Sequence, residues 1–198
     1  ARLHVSRPTA RQALQRLVDR GLLTRRRGVG TIVSPRHVHR PMELTSLMRD
    51  LVNAGHKVHT TIQHYEARPA TAQEADTLKI TEGTLVVHIE RTRFADNEPI
   101  AVLTNLIPAD IAPTMQELES ASLYDLMRER GVTLASARQI IGARSATTKE
   151  AKLLSEHRGA ALLTSQRTTY DPSGRIVECG NHIYRASRYS FEASLFAQ

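Results

Sequence analysis

The chain has 198 residues, 40% hydrophobic and 24% charged, with a formal net charge of +7. That is enough for one large or two small domains, each with its own core, and the balance is that of a soluble globular protein. No apolar run nears the roughly 20 residues needed to span a bilayer. No signal-peptide pattern opens the chain, and a single cysteine, Cys179, excludes an internal disulfide framework. A cytoplasmic protein is expected.

The charge is unevenly placed. Residues 1–40 hold ten arginines and one acid, Asp19, for a net of +9, which leaves residues 41–198 at −2. A basic stub on a slightly acidic body is an electrostatic footprint for a polyanion. A solvated tail would not interleave its arginines with a regular apolar pattern.

The opening ARLHV reads as the end of a helix, so further chain upstream is expected. Ser6 is a good N-cap and Pro8 sits where its fixed φ costs nothing. Ala10, Ala13, Leu14, Leu17 and Val18 follow with helical period, and Gly21 is a stop. Arg7, Thr9, Arg11, Gln12 and Arg16 lie on the other side, where a helix can lay them along a major groove. Leu22–Thr24 and Thr31–Val33 read as strands of a hairpin. Its tip carries Arg25, Arg26, Arg27, Gly28 and Gly30, suited to close approach to a minor groove. Residues 34–43, beginning SPRHVHRP, read as a linker. His37, His39, His56 and His59 lack the cysteine or acidic partners of a metal set, so no metal or cofactor is expected.

The body, residues 44–198, contains an internal repeat. Sliding the chain by 76 positions aligns residues 46–100 with 122–176 without a gap. Fifteen of 55 positions are identical, against roughly three to four from composition, so the halves are read as a duplication. Each unit reads α-β-α-β-β: a Ser-Leu helix start (46 and 122), a glycine stop (55 and 131), a strand, a short helix entered from Thr71 or Thr147, and two strands. Two such units most simply build one antiparallel sheet with packed helices, an α+β domain.

In the first unit Leu85, Val87, Ile89, Arg91 and Arg93 share one strand face. Two arginines ending an aliphatic face are costly to bury unless they meet an anion or pair with acids at the sheet edge. Both readings stand on the pattern. Cys179 beside Glu178 is read as a small buried residue rather than a redox sensor.

VSRPTARQALQRLVDRGLLTRRRGVGTIV resembles the DNA-binding domain of GntR-family bacterial regulators, a winged helix-turn-helix. LTSLMRDLVNAG, ERTRFADNEPIA, SLYDLMRERG and VECGNHIYRASRYSF resemble the UTRA effector domain of the HutC-type subfamily, which has a chorismate-lyase-like fold. The first resemblance implies DNA contacts at Arg7, Thr9, Arg11 and the wing residues Arg27, Gly28, Gly30 and Thr31, with the domain spanning 1–33 and starting upstream. The second implies a small anionic effector, with a phosphorylated sugar as one form. Ser46, Arg91, Arg93, Ser122 and Tyr124 would hold its anion, and Glu178 and Tyr184 would approach its ring. Leu103 and Met48 depart from sugar-phosphate sensors, which tend to place an acid and a hydroxyl there, so the pocket is less polar. Together these imply a regulator, a repressor by the family's commoner habit, working as a homodimer on a palindromic duplex operator. A lyase-like enzyme is the alternative, and a nucleoid-binding role a third. Against the enzyme, the sequence offers no nucleophile–base pair, and a fold alone carries no chemistry.

Overall fold

The computed structural model describes residues 6–19, 23–26, 30–33, 38–41 and 44–192. The chain divides into two compact units, residues 1–38 and 39–198.

The first unit holds α1 (Arg7–Asp19) and the hairpin of β1 (Leu23–Arg26) and β2 (Gly30–Val33), antiparallel with Leu23 opposite Val33. Ser6 starts the helix: its Oγ accepts from the Thr9 amide at 3.3 Å, and its carbonyl accepts from the Ala10 amide at 3.0 Å. β1 runs two residues further into the arginines than the apolar pattern suggests, because β-pairing with Gly30 and Thr31 extends the ladder. Ala13 and Leu14, expected on the core face of α1, are exposed among the described residues.

The second unit is α+β. Its elements run β3 (Val38–Pro41), α2 (Leu47–Asn53), β4 (Val58–Pro69), α3 (Ala72–Leu78), β5 (Leu85–Ala95), β6 (Glu98–Pro108), α4 (Met115–Ser120), α5 (Leu123–Glu129), β7 (Ser136–Ser145), α6 (Thr148–Leu153), β8 (Ala161–Tyr170), β9 (Ile176–Arg185) and β10 (Tyr189–Glu192). β3, inside the stretch read as a linker, pairs with β10. The six long strands form one antiparallel sheet in the order β4-β5-β6-β9-β8-β7.

That order carries the duplication into space. α2-β4-α3-β5-β6 and α5-β7-α6-β8-β9 are the two units, joined through the central pair β6 and β9. Backbone details repeat as well. Thr71 and Thr147 open α3 and α6 with complete capping boxes to Glu74 and Glu150. Lys79 and Ser155 both adopt left-handed φ after those helices, and Gly55 and Gly131 take φ of 82° and 81° after α2 and α5, a conformation open to residues without a Cβ.

One register difference separates the halves. β5 turns into β6 through Asp96 and Asn97, both at positive φ, and Phe94 pairs with Pro99. Tyr170, its counterpart, pairs with Ile176, one residue beyond the 76-residue offset. Along β9 the equivalence is therefore shifted by one, and Asn105 corresponds to His182. The gapless alignment cannot show this, because the extra residue is absorbed in a turn.

Helices cover both faces of the sheet. On one face Val87, Ile89 and Ile107 pack with Leu118 of α4 and with Leu123, Tyr124 and Met127 of α5. On the other, α3 places Ala75 and Leu78 against Val86 and Cys179, while α6 places Ala151 against Val102 and Leu162. Each buried aliphatic side chain contributes about 1.5–3 kcal/mol. The helix α4 was not anticipated. Its Thr114–Glu117 capping box is a legible start signal, lying just after Pro113.

Candidate functional site

Between the starts of α2 and α5 and the sheet lies a cleft of about 380 Å³, counting its mouth. α2 contributes Ser46, Leu47 and Met48, α5 contributes Leu123 and Tyr124, and the sheet contributes Arg91, Arg93, Leu103, Asn105, Arg167, His182 and Tyr184. The alternation of β5 places Arg91 and Arg93 on the same face as Val87 and Ile89, and the antiparallel register sets Arg91 beside Leu103 and Leu103 beside His182.

The two arginines of β5 are 3% and 2% exposed. Arg91 Nη2 donates to Asn105 Oδ1 at 3.0 Å, and Arg93 Nη1 donates to Thr60 Oγ1 at 2.5 Å. Neither makes an ion pair among the described residues, and Arg91 Nε, Arg91 Nη1 and Arg93 Nε are buried without a partner. The edge salt bridges that the pattern left open are not what is found. Burial holds both guanidinium groups below the usual arginine range, Arg93 further because Arg91 adds repulsion. A buried cation in this condition favours an incoming anion.

The third arginine, Arg167, is the repeat counterpart of Arg91 and faces the same cleft. It is bonded to Gln139 Oε1 through Nε at 2.8 Å and also through Nη2, and Nη1 lies 3.4 Å from the Tyr124 hydroxyl. Burial and Glu178 push the Tyr124 hydroxyl up to about 12, so it stays protonated.

Glu178 is fully buried and does not line the cleft. Its carboxylate accepts from Asn105 Nδ2 at 2.6 Å, Thr169 Oγ1 at 2.8 Å and the Tyr124 hydroxyl at 3.2 Å. It sits beneath the cleft floor as a counter-charge to Arg91. Asn105 Nδ2 also meets His182 Nε2 at 3.2 Å, and His182 Nδ1 lies 3.3 Å from the Tyr184 hydroxyl. This packing needs Gly180: a Cβ there would stand 2.5 Å from Glu178 Oε1 and 2.6 Å from His182 Nε2.

Of the residues singled out from sequence, the fold brings Ser46, Arg91, Arg93, Tyr124 and Tyr184 to one cleft. Ser122 caps α5, accepting from the Asp125 amide at 3.4 Å, and Glu178 lies below; neither is on the wall. Asn105, Arg167 and His182 were missed. The repeat marks Arg167, but the other two follow from pairing β6 with β9. Cys179 is buried on the opposite face, its thiol pushed up to about 11 by burial.

In the first unit Arg11 and Thr31, both expected at DNA, border a groove with Pro8 and Gln12. Arg7 is the first residue of α1, and Thr9 is exposed with its Oγ1 2.8 Å from Ser6 Oγ. Gly30 has φ of 100°. Arg27 and Gly28 lie outside the described residues. Among those described, no group of three His, Cys, Asp or Glu is placed to hold a metal, and no helix is long and apolar enough to cross a membrane.

A family model described as UTRA domain matches residues 53–190, and one described as bacterial regulatory proteins, gntR family, matches residues 1–33. The chain belongs to the GntR family and carries a UTRA domain. It is 33% identical over 190 residues to the HTH-type transcriptional repressor NagR of Bacillus subtilis (strain 168), covering 94% of this chain and 78% of that protein. It is 27% identical over 197 residues to the mannosyl-D-glycerate transport/metabolism system repressor MngR of Escherichia coli (strain K12), covering 98% and 81%. The crystal structure of PhnF from Mycobacterium smegmatis superposes with a TM-score of 0.86 at 26% identity, covering 98% of this chain and 87% of that one. The cleft therefore belongs to a UTRA domain of chorismate-lyase-like fold, and α1 with its hairpin to the winged helix-turn-helix of a GntR regulator.

Proposed function

We propose that this GntR-family chain is a cytoplasmic DNA-binding repressor whose operator affinity is set by a small anionic effector in the UTRA cleft. The observation that carries this reading is the pair Arg91 and Arg93, buried in a cleft wall with unmet donors and no carboxylate partner among the described residues. The effector's anion is held by these arginines with Ser46 and Tyr124, while Glu178 and Ser122 support the floor and the α5 start. Phosphorylated sugars are one candidate class. The repressor names of NagR and MngR support the sign.

On the DNA side, Arg7, Thr9 and Arg11 of α1 read the operator, and Arg27, Gly28, Gly30 and Thr31 approach the backbone and minor groove. A homodimer places two such helices in successive major grooves of a palindromic site. Coupling between effector and operator is about 1–3 kcal/mol, the usual size of such effects. Binding without turnover is supported by Glu178, whose carboxylate is consumed by three donors rather than presented to a substrate.

The test is fluorescence anisotropy with duplexes from the flanks of the chain's own gene, at moderate salt, with and without a panel of phosphorylated and carboxylated metabolites. Specific binding weakened by an anionic metabolite is expected. No sequence-specific binding to any duplex, or turnover of a bound metabolite, would sink the reading.

A further inference from the structure

Hydrogen-bonding capacity around the cleft is unevenly spent. Asn105 uses both ends of its amide, on Arg91 at one side and on Glu178 and His182 at the other. His182 meets Asn105 through Nε2 and Tyr184 through Nδ1, and Arg167 is taken up by Gln139. The polar far wall is thus satisfied within the protein. Unmet capacity is concentrated on Arg91 Nε and Nη1 and Arg93 Nε. The other hydroxyls on the wall are also engaged, Thr45 on Asp50, Tyr124 on Glu178 and Ser46 at the α2 start. The remainder is Leu47, Met48, Leu103 and Leu123, of which Leu47, Leu103 and Leu123 are 4–5% exposed.

We infer that the effector is an organic anion on an apolar frame, a carboxylate or phosphate ester borne by a small aliphatic or aromatic body without hydroxyl groups. This rests on the anion-site reading above and narrows it. The anion meets Arg91 and Arg93, and the frame lies against Met48 and Leu103. A hydroxyl-rich frame would set its hydroxyls against leucine and methionine carbon, or would have to break a bond within the Asn105–His182–Glu178 set. Either way a buried polar group is left unpaired. Apolar carbon in the same place gains from leaving water.

The experiment is calorimetric titration of the full chain at neutral pH with benzyl phosphate, phenylacetate, glucose 6-phosphate and benzyl alcohol. At least one of the two apolar anions is expected to bind ten or more times tighter than glucose 6-phosphate, a gap of about 1.4 kcal/mol, with benzyl alcohol silent. The two apolar arms separate phosphate from carboxylate. Glucose 6-phosphate binding as tightly as either apolar anion overturns the narrowing. If that binding is lost in Arg91→Met, the anion site survives and only the apolar frame falls. If none of the three anions binds, both readings fall together.

Discussion

Arg49 and Asp125 stand 76 residues apart, the period of the internal repeat, and their side chains meet at 2.6 Å. The starts of α2 and α5 are thereby tied where the two halves of the duplication face each other across the cleft. Asp125 also receives Arg128 at 3.0 Å. The side chains of Arg49 and Asp125 are 52% and 31% exposed, so solvent screens the pair and about 1 kcal/mol is its upper worth. Asp125→Asn is expected to lower Tm by roughly 2–4 °C at most in low salt. At 1 M salt, where the screening length is about 3 Å, the difference should vanish. A loss that persists in high salt would mean the contact is not electrostatic.

Arg91 and Arg93 set function against stability. Each buries a cation without a salt bridge among the described residues, Glu178 acting on Arg91 as a counter-charge through Asn105. Burying an ion costs several kcal/mol unless it is paired. Arg93→Met, which leaves Asn105 and Glu178 untouched, should therefore hold or raise the melting temperature of the unliganded protein. The double variant Arg91→Met with Arg93→Met should lose the effector response while operator affinity stays nearly intact. Thermal melts of the single variant and anisotropy with the double variant check both. Unchanged induction would remove these arginines from the site.

How far the sequence reaches can be judged on these same residues. The arginine alternation on β5, the Ser-Leu starts and the basic hairpin are local patterns, and local patterns survive without a fold. The duplication is also legible, because 76-residue identity needs no geometry. Asn105, His182 and the buried place of Glu178 depend on β6 pairing with β9, and on one extra residue absorbed in the turn before β9. Registers one residue apart exchange the faces of that strand, and only tertiary pairing decides between them. Arg167 was within reach through its identity with Arg91, but its bond to Gln139 joins β8 to β7 and leaves no trace in sequence.

Gly180 tests that pairing directly. It sits opposite Asn105 on one side and Arg167 on the other. A methyl group there would press on Glu178 and His182 at 2.5 and 2.6 Å, and Glu178 cannot swing away without breaking three buried bonds. Overpacking of this kind costs about 1–3 kcal/mol, so Gly180→Ala should lower Tm by several degrees. It should also weaken anion binding, because Asn105 is shared with Arg91. A variant that melts and titrates like the parent would show that the cluster under the cleft is looser than the structure has it.

The capping boxes give an acid-sensitive pair. Arg144 reaches Glu150 at 2.6 and 2.7 Å, as Arg68 reaches Glu74 at 2.7 Å twice. The hydrogen bonds from Arg144 and Arg68 are the main reason Glu150 and Glu74 are lowered from 4.5 to about 2. A carboxylate depressed in the folded state stabilises above its unfolded value, and that contribution fades as pH falls towards the folded value. Glu150→Gln keeps a side-chain acceptor for the Thr147 amide, since glutamine also completes a capping box, and removes only the charge. The parent should thus melt a few degrees above Glu150→Gln at pH 6, with the gap narrowing between pH 4.5 and 2. Melts recorded across that window decide it: a gap that stays constant to pH 2 would assign the effect to packing and not to the ion pair.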